Sequence, residues 1–248
     1  MKLLDEFKCH SLVFSSSATV YGSPDVMPIT EETTIGLGIT NPYGRTKYMI
    51  EEVLRDFFNA QILTQTDENK TDWSITILRY FNPVGSHPSG KIGEDPHGIP
   101  NNLMPFVAQV AVGRREFLTV FGSDYPTPDG TGVRDYLHVM DLADGHLSAI
   151  EYMRAKESGC FVFNLGTGNG CSVLDMVNAM TKACGHEIKY QLGARRPGDV
   201  AIYYADASKA KQEMGWEAKR GLDEMCADLW SWQQQNPNGF GAAPATEK

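Results

Sequence analysis

The chain has 248 residues, of which 42% are hydrophobic and 21% charged, with a formal net charge of −9. That length can bury a substantial core, as one large domain or a domain plus a lobe. The acidic balance argues against a nucleic-acid partner, which needs a basic face, but leaves room for anionic small molecules held by local arginines. Residues 1–8 read as the last turns of an amphipathic helix, with Leu3, Leu4 and Phe7 on one side, and lack the apolar core of a signal peptide. No apolar run approaches the roughly 20 residues of a membrane span. Ser11–Ser15 predicts a short buried strand that ends in small polar residues, Ser15-Ser16-Ser17. Asn41-Pro42 predicts a helix start, with Asn41 as cap and Pro42 at the first helical position. Ile50, Val53, Leu54, Phe57 and Phe58 then form an apolar stripe at helical spacing. Residues 65–71 predict a loop, within which Asn69-Lys70-Thr71 matches a glycosylation sequon. Residues 75–81, rich in β-branched and aromatic types, predict a second strand. Strand, long helix and strand in that order point to a parallel βαβ unit.

The Gly- and Pro-rich stretch 83–100 predicts a long loop, and loops of that length are often functional. A helix opens at Asn101-Asn102-Leu103 and closes at Gly113; Leu118–Phe121 predicts a short strand; 122–132 predicts a turn-rich loop. Asp141 is expected to cap a helix over 141–153, and 161–165 predicts a strand. Ser172-Val173-Leu174-Asp175 fits a capping box, with its helix ending at Gly185. A Trp-rich helix, Leu222–Gln235, closes the chain. The five cysteines are irregularly spaced and form no C-x-x-C, which predicts a reduced, cytosolic compartment. The histidines show no metal-ligand spacing.

Chemistry concentrates in Tyr43-Gly44-Arg45-Thr46-Lys47. Residues at i and i+4 share a helix face, so the Tyr43 hydroxyl and the Lys47 ammonium project together. A cation beside a phenol favours the phenolate, and such a phenol can move protons near neutral pH. Ser17, arriving on a strand end, can share that proton. Tyr-x-x-x-Lys alone is common in helices where both residues are solvated; the preceding serine strand and the Asn-Pro cap favour the catalytic reading. Gly166-Thr167-Gly168-Asn169-Gly170 has its third glycine one residue early for a dinucleotide fingerprint, so a structural turn is expected there. Arg134-Asp135-Tyr136 and Arg195-Arg196-Pro197-Gly198-Asp199 read equally as surface ion pairs and as a diphosphate clamp.

The runs Phe14-Ser15-Ser16-Ser17-Ala18-Thr19-Val20-Tyr21-Gly22, Asn41-Pro42-Tyr43-Gly44, Leu78-Arg79-Tyr80-Phe81-Asn82-Pro83, Gly98-Ile99-Pro100-Asn101-Asn102-Leu103-Met104-Pro105 and Asp129-Gly130-Thr131-Gly132-Val133-Arg134-Asp135-Tyr136 resemble the UDP-glucose 4-epimerase family of extended short-chain dehydrogenases/reductases. The resemblance runs from about Leu12 to the C-terminal Asn-Pro-Asn-Gly-Phe-Gly. It implies an α/β fold: a partial Rossmann-like, doubly wound parallel sheet over residues 1–82, then over 83–248 a smaller α/β substrate lobe with segments returning to the first domain. It implies NAD as cofactor, interconversion of UDP-galactose and UDP-glucose by transient oxidation at C4, a homodimer and a cytoplasmic setting. Tyr43 would be the catalytic base and acid, Lys47 would bind the nicotinamide ribose, Ser17 would hydrogen-bond the sugar's 4-hydroxyl and Phe81 would lie by the cofactor. Asn82, Asn101, Asn102, Leu103, Thr119, Val120, Phe121, Arg134, Arg196 and Asp199 would hold the UDP group. Tyr203 stands where the family controls the size of the sugar pocket.

Members of this family open with a Gly-x-x-Gly-x-x-Gly turn ahead of the serine strand, and this chain begins after that point. The expectation is therefore a truncated form whose Leu12–Ser15 strand sits at a sheet edge and which binds NAD poorly by itself. A 4,6-dehydratase would need an acid pair after the serine strand, and Ser17-Ala18-Thr19 offers none. A non-catalytic UDP-sugar-binding or subunit-interaction module is the open alternative from another class.

Overall fold

The computed structural model describes residues 1–64, 66, 72–156 and 158–240. The predicted 65–71 loop, save residue 66, and its Asn69-Lys70-Thr71 sequon lie outside the described residues, as does Gly241. In chain order the elements are α1 (Lys2–Glu6), β1 (Ser11–Ser15), a 3₁₀ turn (Ala18–Tyr21), α2 (Pro42–Thr64), β2 (Ser74–Tyr80), β3 (Asn82–Val84), α3 (Leu103–Ala111), β4 (Leu118–Phe121), β5 (Val133–His138) and α4 (Val139–Ala155). They continue with β6 (Gly159–Leu165), β7 (Gly170–Ser172), α5 (Val173–Cys184), β8 (Tyr190–Gly193), β9 (Ile202–Tyr203), α6 (Ser208–Met214) and α7 (Leu222–Gln235). The chain is α/β and divides into two compact units: Met1–Phe81 with Leu142–Gly168 and Tyr204–Ala218, and Asn82–Asp141 with Asn169–Tyr203 and Lys219–Lys248.

The first unit holds a parallel sheet in the order β1-β2-β6. β2 is central and buried, as its run Ser74-Ile75-Thr76-Ile77-Leu78 requires of a strand covered on both faces. β1 pairs only with β2 among the described residues, and its Leu12, Val13 and Phe14 are half-buried where the sequence predicted a buried strand. α2 starts as predicted: Asn41 Oδ1 accepts the Gly44 N–H at 2.7 Å. Its apolar face is narrower than the predicted stripe. Leu54 and Phe58 pack with Trp73, Ile75 and Ile77, while Ile50 and Val53 are 41% and 61% exposed. The buried face instead runs through Lys47, Glu51, Leu54 and Phe58, because both charged groups find partners there. Likewise only Leu4 of the α1 trio packs inward; Leu3 and Phe7 are exposed.

The second unit is organised on β5, which pairs with β3 and β9 in parallel and with β7 antiparallel. β4 and β8 form a separate parallel pair. The sequence did not predict β5, since Arg134 and Asp135 break its apolar alternation, nor β3, which opens the stretch read as loop. Val107, Leu118, Val120, Met176, Met180, Met225 and Leu229 join α3, α5, α7 and β4 in one core. The α5 capping box forms, with the Ser172 hydroxyl accepting from the Asp175 N–H and the Asp175 carboxylate accepting from the Ser172 N–H, and Gly185 ends the helix at φ +78°. Asp141 does not cap α4, which starts two residues earlier. Buried in its first turn, its carboxylate accepts the Lys219 and Arg220 N–H groups at 3.0 and 2.9 Å and the Arg220 guanidinium at 2.5 Å.

Candidate functional site

The first unit brings Ser17, Tyr43 and Lys47 to the C-terminal end of β1 and the first turns of α2. Ser17 caps the 3₁₀ turn, its Oγ accepting the Thr19 N–H at 3.2 Å and the Thr19 hydroxyl at 2.9 Å. With two donors on the oxygen, its own O–H is left to donate. Gly44 allows this turn to sit close: a Cβ there would lie 3.0 Å from Thr19 Cβ and Oγ1. Tyr43, next along, is half exposed. Lys47 Nζ lies 5.5 Å from the Tyr43 ring centroid and 5.1 Å from that of Phe14, and it donates to the Ser15 carbonyl at 2.7 Å. That bond ties the helix to the strand that delivers Ser17. Phe81, following β2, is buried, and its N–H donates to the Leu165 carbonyl. The Tyr80 phenol, held up to about 12 by burial, feels the Tyr43 phenol nearby.

Reading the sequence missed the buried polar cluster beside these residues. Glu51 accepts from Ser16 Oγ at 2.5 Å and from Arg79 Nη2 at 2.7 Å, and Arg79 donates to the Tyr21 hydroxyl at 3.0 Å. Burial alone would raise the Glu51 carboxyl, but Arg79, Ser16 and Arg55 hold it below its ordinary value. A signal was present: one charge of each sign on the inward side of successive βαβ elements, Glu51 in the helix and Arg79 inside an apolar strand.

The second unit carries the residues assigned to the nucleotide. Arg134 and Tyr203 are register partners on β5 and β9. Tyr136, two residues along β5 from Arg134, is buried; burial drives its phenol upward, against the opposing pull of the Arg134 and Arg196 charges. Arg196 stands 5.1 Å from the Phe121 ring centroid and its Nε donates to Asp199 Oδ2 at 2.9 Å. Its neighbour Arg195 turns elsewhere, pairing with Asp124 at 2.7 Å and stacking 4.1 Å from the Tyr125 ring centroid. Both ion pairs are exposed enough that neither is a strong stabiliser. Thr119 accepts from Gln191 at 3.3 Å, Val120 is buried in the core and Phe121 is 43% exposed. Gly193 faces Thr119, where a Cβ would come within 2.9 Å of its methyl. Asn82 is exposed on β3, paired in register with Tyr136. Asn101 and Asn102 are exposed at the start of α3, Leu103 is half-buried, and Asn102 hydrogen-bonds Glu94, whose carboxyl is raised by burial.

The family described as GDP-mannose 4,6 dehydratase matches residues 1–229. The UDP-glucose 4-epimerase of Bacillus subtilis is 58% identical over 240 residues, covering 97% of this chain and 67% of that protein. The human UDP-glucose 4-epimerase is 57% identical over 244 residues, again with 97% and 67% covered. The chain thus spans about two thirds of the length of these curated relatives. Among solved structures, UDP-glucose 4-epimerase from Bifidobacterium longum in complex with NAD+ and UDP superposes with a TM-score of 0.87 at 53% identity, covering 96% of this chain and 68% of that one. The enzyme from Stenotrophomonas maltophila, with bound NAD and formylated UDP-arabinopyranose, gives 0.87 at 45% identity, with 95% and 67% covered. With sequence and fold in agreement along nearly its whole length, the chain belongs to the UDP-glucose 4-epimerase family.

Proposed function

We propose that this chain interconverts UDP-galactose and UDP-glucose, with NAD as cofactor and Tyr43, Lys47 and Ser17 as its catalytic residues. The observation that carries the reading is the Lys47–Ser15 bond, which sets a cation, a phenol and a serine hydroxyl at the end of one strand. This donor set suits a nicotinamide riboside. The Lys47 ammonium has three N–H donors, of which the Ser15 carbonyl takes one, so others remain for ribose hydroxyls, and buried Phe81 supplies an apolar wall. When bound, NAD supplies the hydride acceptor and donor that inversion at an alcohol carbon requires.

The chain's own residues handle protons and position. Ser17 donates to the sugar's 4-hydroxyl oxygen. Tyr43 takes the 4-hydroxyl proton and returns it after the sugar has turned. The second unit holds the nucleotide: Arg134 and Arg196 bind the diphosphate, Asp199 orients Arg196, and Phe121, Thr119, Val120, Leu103, Asn82, Asn101 and Asn102 surround the rest. A handle held through UDP lets the sugar rotate without leaving.

The protein acts as a homodimer in the cytoplasm on this reading. Met49, Ile50 and Val53 are all more than two-fifths exposed and adjoin on α2, which suits packing against a second helix. All five cysteines are free thiols, which suits a reducing compartment. No helix among the described residues is long and apolar enough to cross a membrane.

The direct test supplies the purified chain with NAD+ and UDP-galactose and follows UDP-glucose by chromatography. Conversion lost in Tyr43→Phe supports the proposal. Tight UDP binding with no conversion under saturating NAD+ overturns it in favour of a UDP-sugar-binding module.

A further inference from the structure

We infer that the buried Glu51–Arg79 pair is a positioning device for Ser17, holding both ends of the short segment that carries the serine. The inference rests on the proposed role of Ser17 and Tyr43. On the N-terminal side, Ser16 Oγ donates to Glu51 Oε1 at 2.5 Å. On the C-terminal side, Arg79 Nη1 donates to the Tyr21 hydroxyl at 3.0 Å, and that hydroxyl donates to Asn164 Oδ1 at 2.6 Å. The two ends meet in the ion pair, where Arg79 Nε and Nη2 reach the Glu51 carboxylate at 3.1 and 2.7 Å. Ser16, Tyr21, Glu51, Arg79 and Asn164 are all at most 2% exposed.

Helix geometry extends the hold to the acid–base pair. Tyr43, Lys47 and Glu51 follow at i, i+4 and i+8 on α2, so the helix that presents the phenol grips Ser15 through Lys47 and Ser16 through Glu51. The Gly44–Thr19 approach presses the turn against the same helix beside Tyr43. A buried ion pair is weak evidence for stability, since apolar residues of similar volume often serve as well. What it adds is direction: a planar guanidinium fork and a carboxylate fix several bonds at once. For a reaction in which a misplacement of about 1 Å costs on the order of 10²-fold in rate, that direction has a use that packing alone does not supply.

The test uses Ser16→Ala and Tyr21→Phe, each of which deletes one hydroxyl and leaves the ion pair intact, and the double variant of the full chain. Turnover of UDP-galactose should fall roughly tenfold to a hundredfold in the double variant, less in each single variant, with KM and UDP affinity unchanged. The second readout needs no turnover: the NMR Overhauser contact between Gly44 Hα and Thr19 Hβ should weaken in the double variant while amide shifts of the second unit stay in place. If the double variant does not fold, the single variants are read in the same way. An unchanged Gly44–Thr19 contact in a folded variant overturns the inference whatever the turnover, and so does a rise in KM with kcat unaltered. Absence of turnover in the unaltered chain would count against the epimerase reading alone and leave the Overhauser contact to decide this one.

Discussion

Arg134 and Tyr203 stand side by side because the two-residue parallel ladder of β5 and β9 makes them register partners. Neighbouring strands lie about 4.8 Å apart, so a group proposed to hold the diphosphate and one proposed to bound the sugar pocket are spaced by backbone hydrogen bonding. Arg134 is half-buried, with one guanidinium N–H donated to the Val133 carbonyl at 2.9 Å, which leaves further donors in a fixed fork. Arg134→Ala should weaken UDP binding, measured by calorimetry, by roughly 10- to 150-fold, the equivalent of about 1.5–3 kcal/mol for a charge-assisted hydrogen bond. Arg134→Lys should recover only part of that, since an ammonium cannot bind in a bidentate manner. An alanine variant with the parent affinity would remove Arg134 from the nucleotide site.

Tyr43→Phe should lower kcat for epimerisation by about 10²–10⁴-fold, the usual contribution of a positioned general acid or base. UDP affinity should stay within about twofold, because the residues proposed to hold UDP all belong to the other unit. Retention of more than about a tenth of the parent kcat would assign the proton to another group.

The parts of the fold that were legible in the sequence are those where local chemistry and tertiary packing agree. The Asn41-Pro42 start, the Ser172–Asp175 capping box and the Gly185 stop each act within one turn of chain, and each forms as expected. β5 was hidden because Arg134 and Asp135 interrupt the period-two alternation that marks a strand. Asp135 is fully buried and Arg134 is held by its own strand and its surroundings. The apolar stripe on α2 misled for a related reason. Glu51 and Lys47 take the inward face by bonding to Ser16 and Ser15, which turns Ile50 and Val53 outward. At the candidate site, the approach of Lys47 to Tyr43 was legible from their i, i+4 spacing together with the preceding serine strand and the Asn-Pro helix start. The pairing of Arg134 with Tyr203 could not be read, since it arises from two strands that meet across about 70 residues of sequence.

Glu51 predicts an acid limb in stability. Burial opposes its charge, but the Arg79 hydrogen bonds and charge, with Ser16 and Arg55, leave the folded carboxyl below its ordinary value of 4.5. The unfolded chain therefore binds this proton first as pH falls. The stabilisation is complete above the unfolded value and is lost as pH drops through the folded one. Glu51→Gln should cost about 3–5 kcal/mol near neutral pH by leaving Arg79 buried without its counter-charge, and its loss of stability below pH 4.5 should be shallower than the parent's. Urea unfolding at a series of pH values from neutral into the acid range measures both. Parallel acid limbs for the two proteins would show that the Glu51 carboxylate carries no linked proton.

Tyr203 predicts substrate size. It is 7% exposed on β9, a strand of two residues, so its ring has little freedom to move aside. It follows the Arg196–Asp199 pair by a short extended step and lies beside Arg134 in register. On the proposed reading, a phenol there fills volume that an N-acetyl group on the sugar would need. The parent should therefore prefer UDP-galactose over UDP-N-acetylgalactosamine, and Tyr203→Cys should open the space and raise relative kcat/KM for the N-acetyl sugar. A pocket that gains or loses a few methylene-sized groups shifts discrimination by about 1–3 kcal/mol, or roughly 10- to 200-fold in the ratio. The competing account is that Tyr203 packs only within the second unit; on that account Tyr203→Cys leaves a cavity, destabilises the chain by about 3–5 kcal/mol as large-to-small aromatic substitutions do, and slows both sugars alike. Thermal unfolding alongside kcat/KM for the two substrates separates the accounts. An unchanged ratio in a destabilised variant would place Tyr203 in the core and leave the pocket to be bounded by other residues.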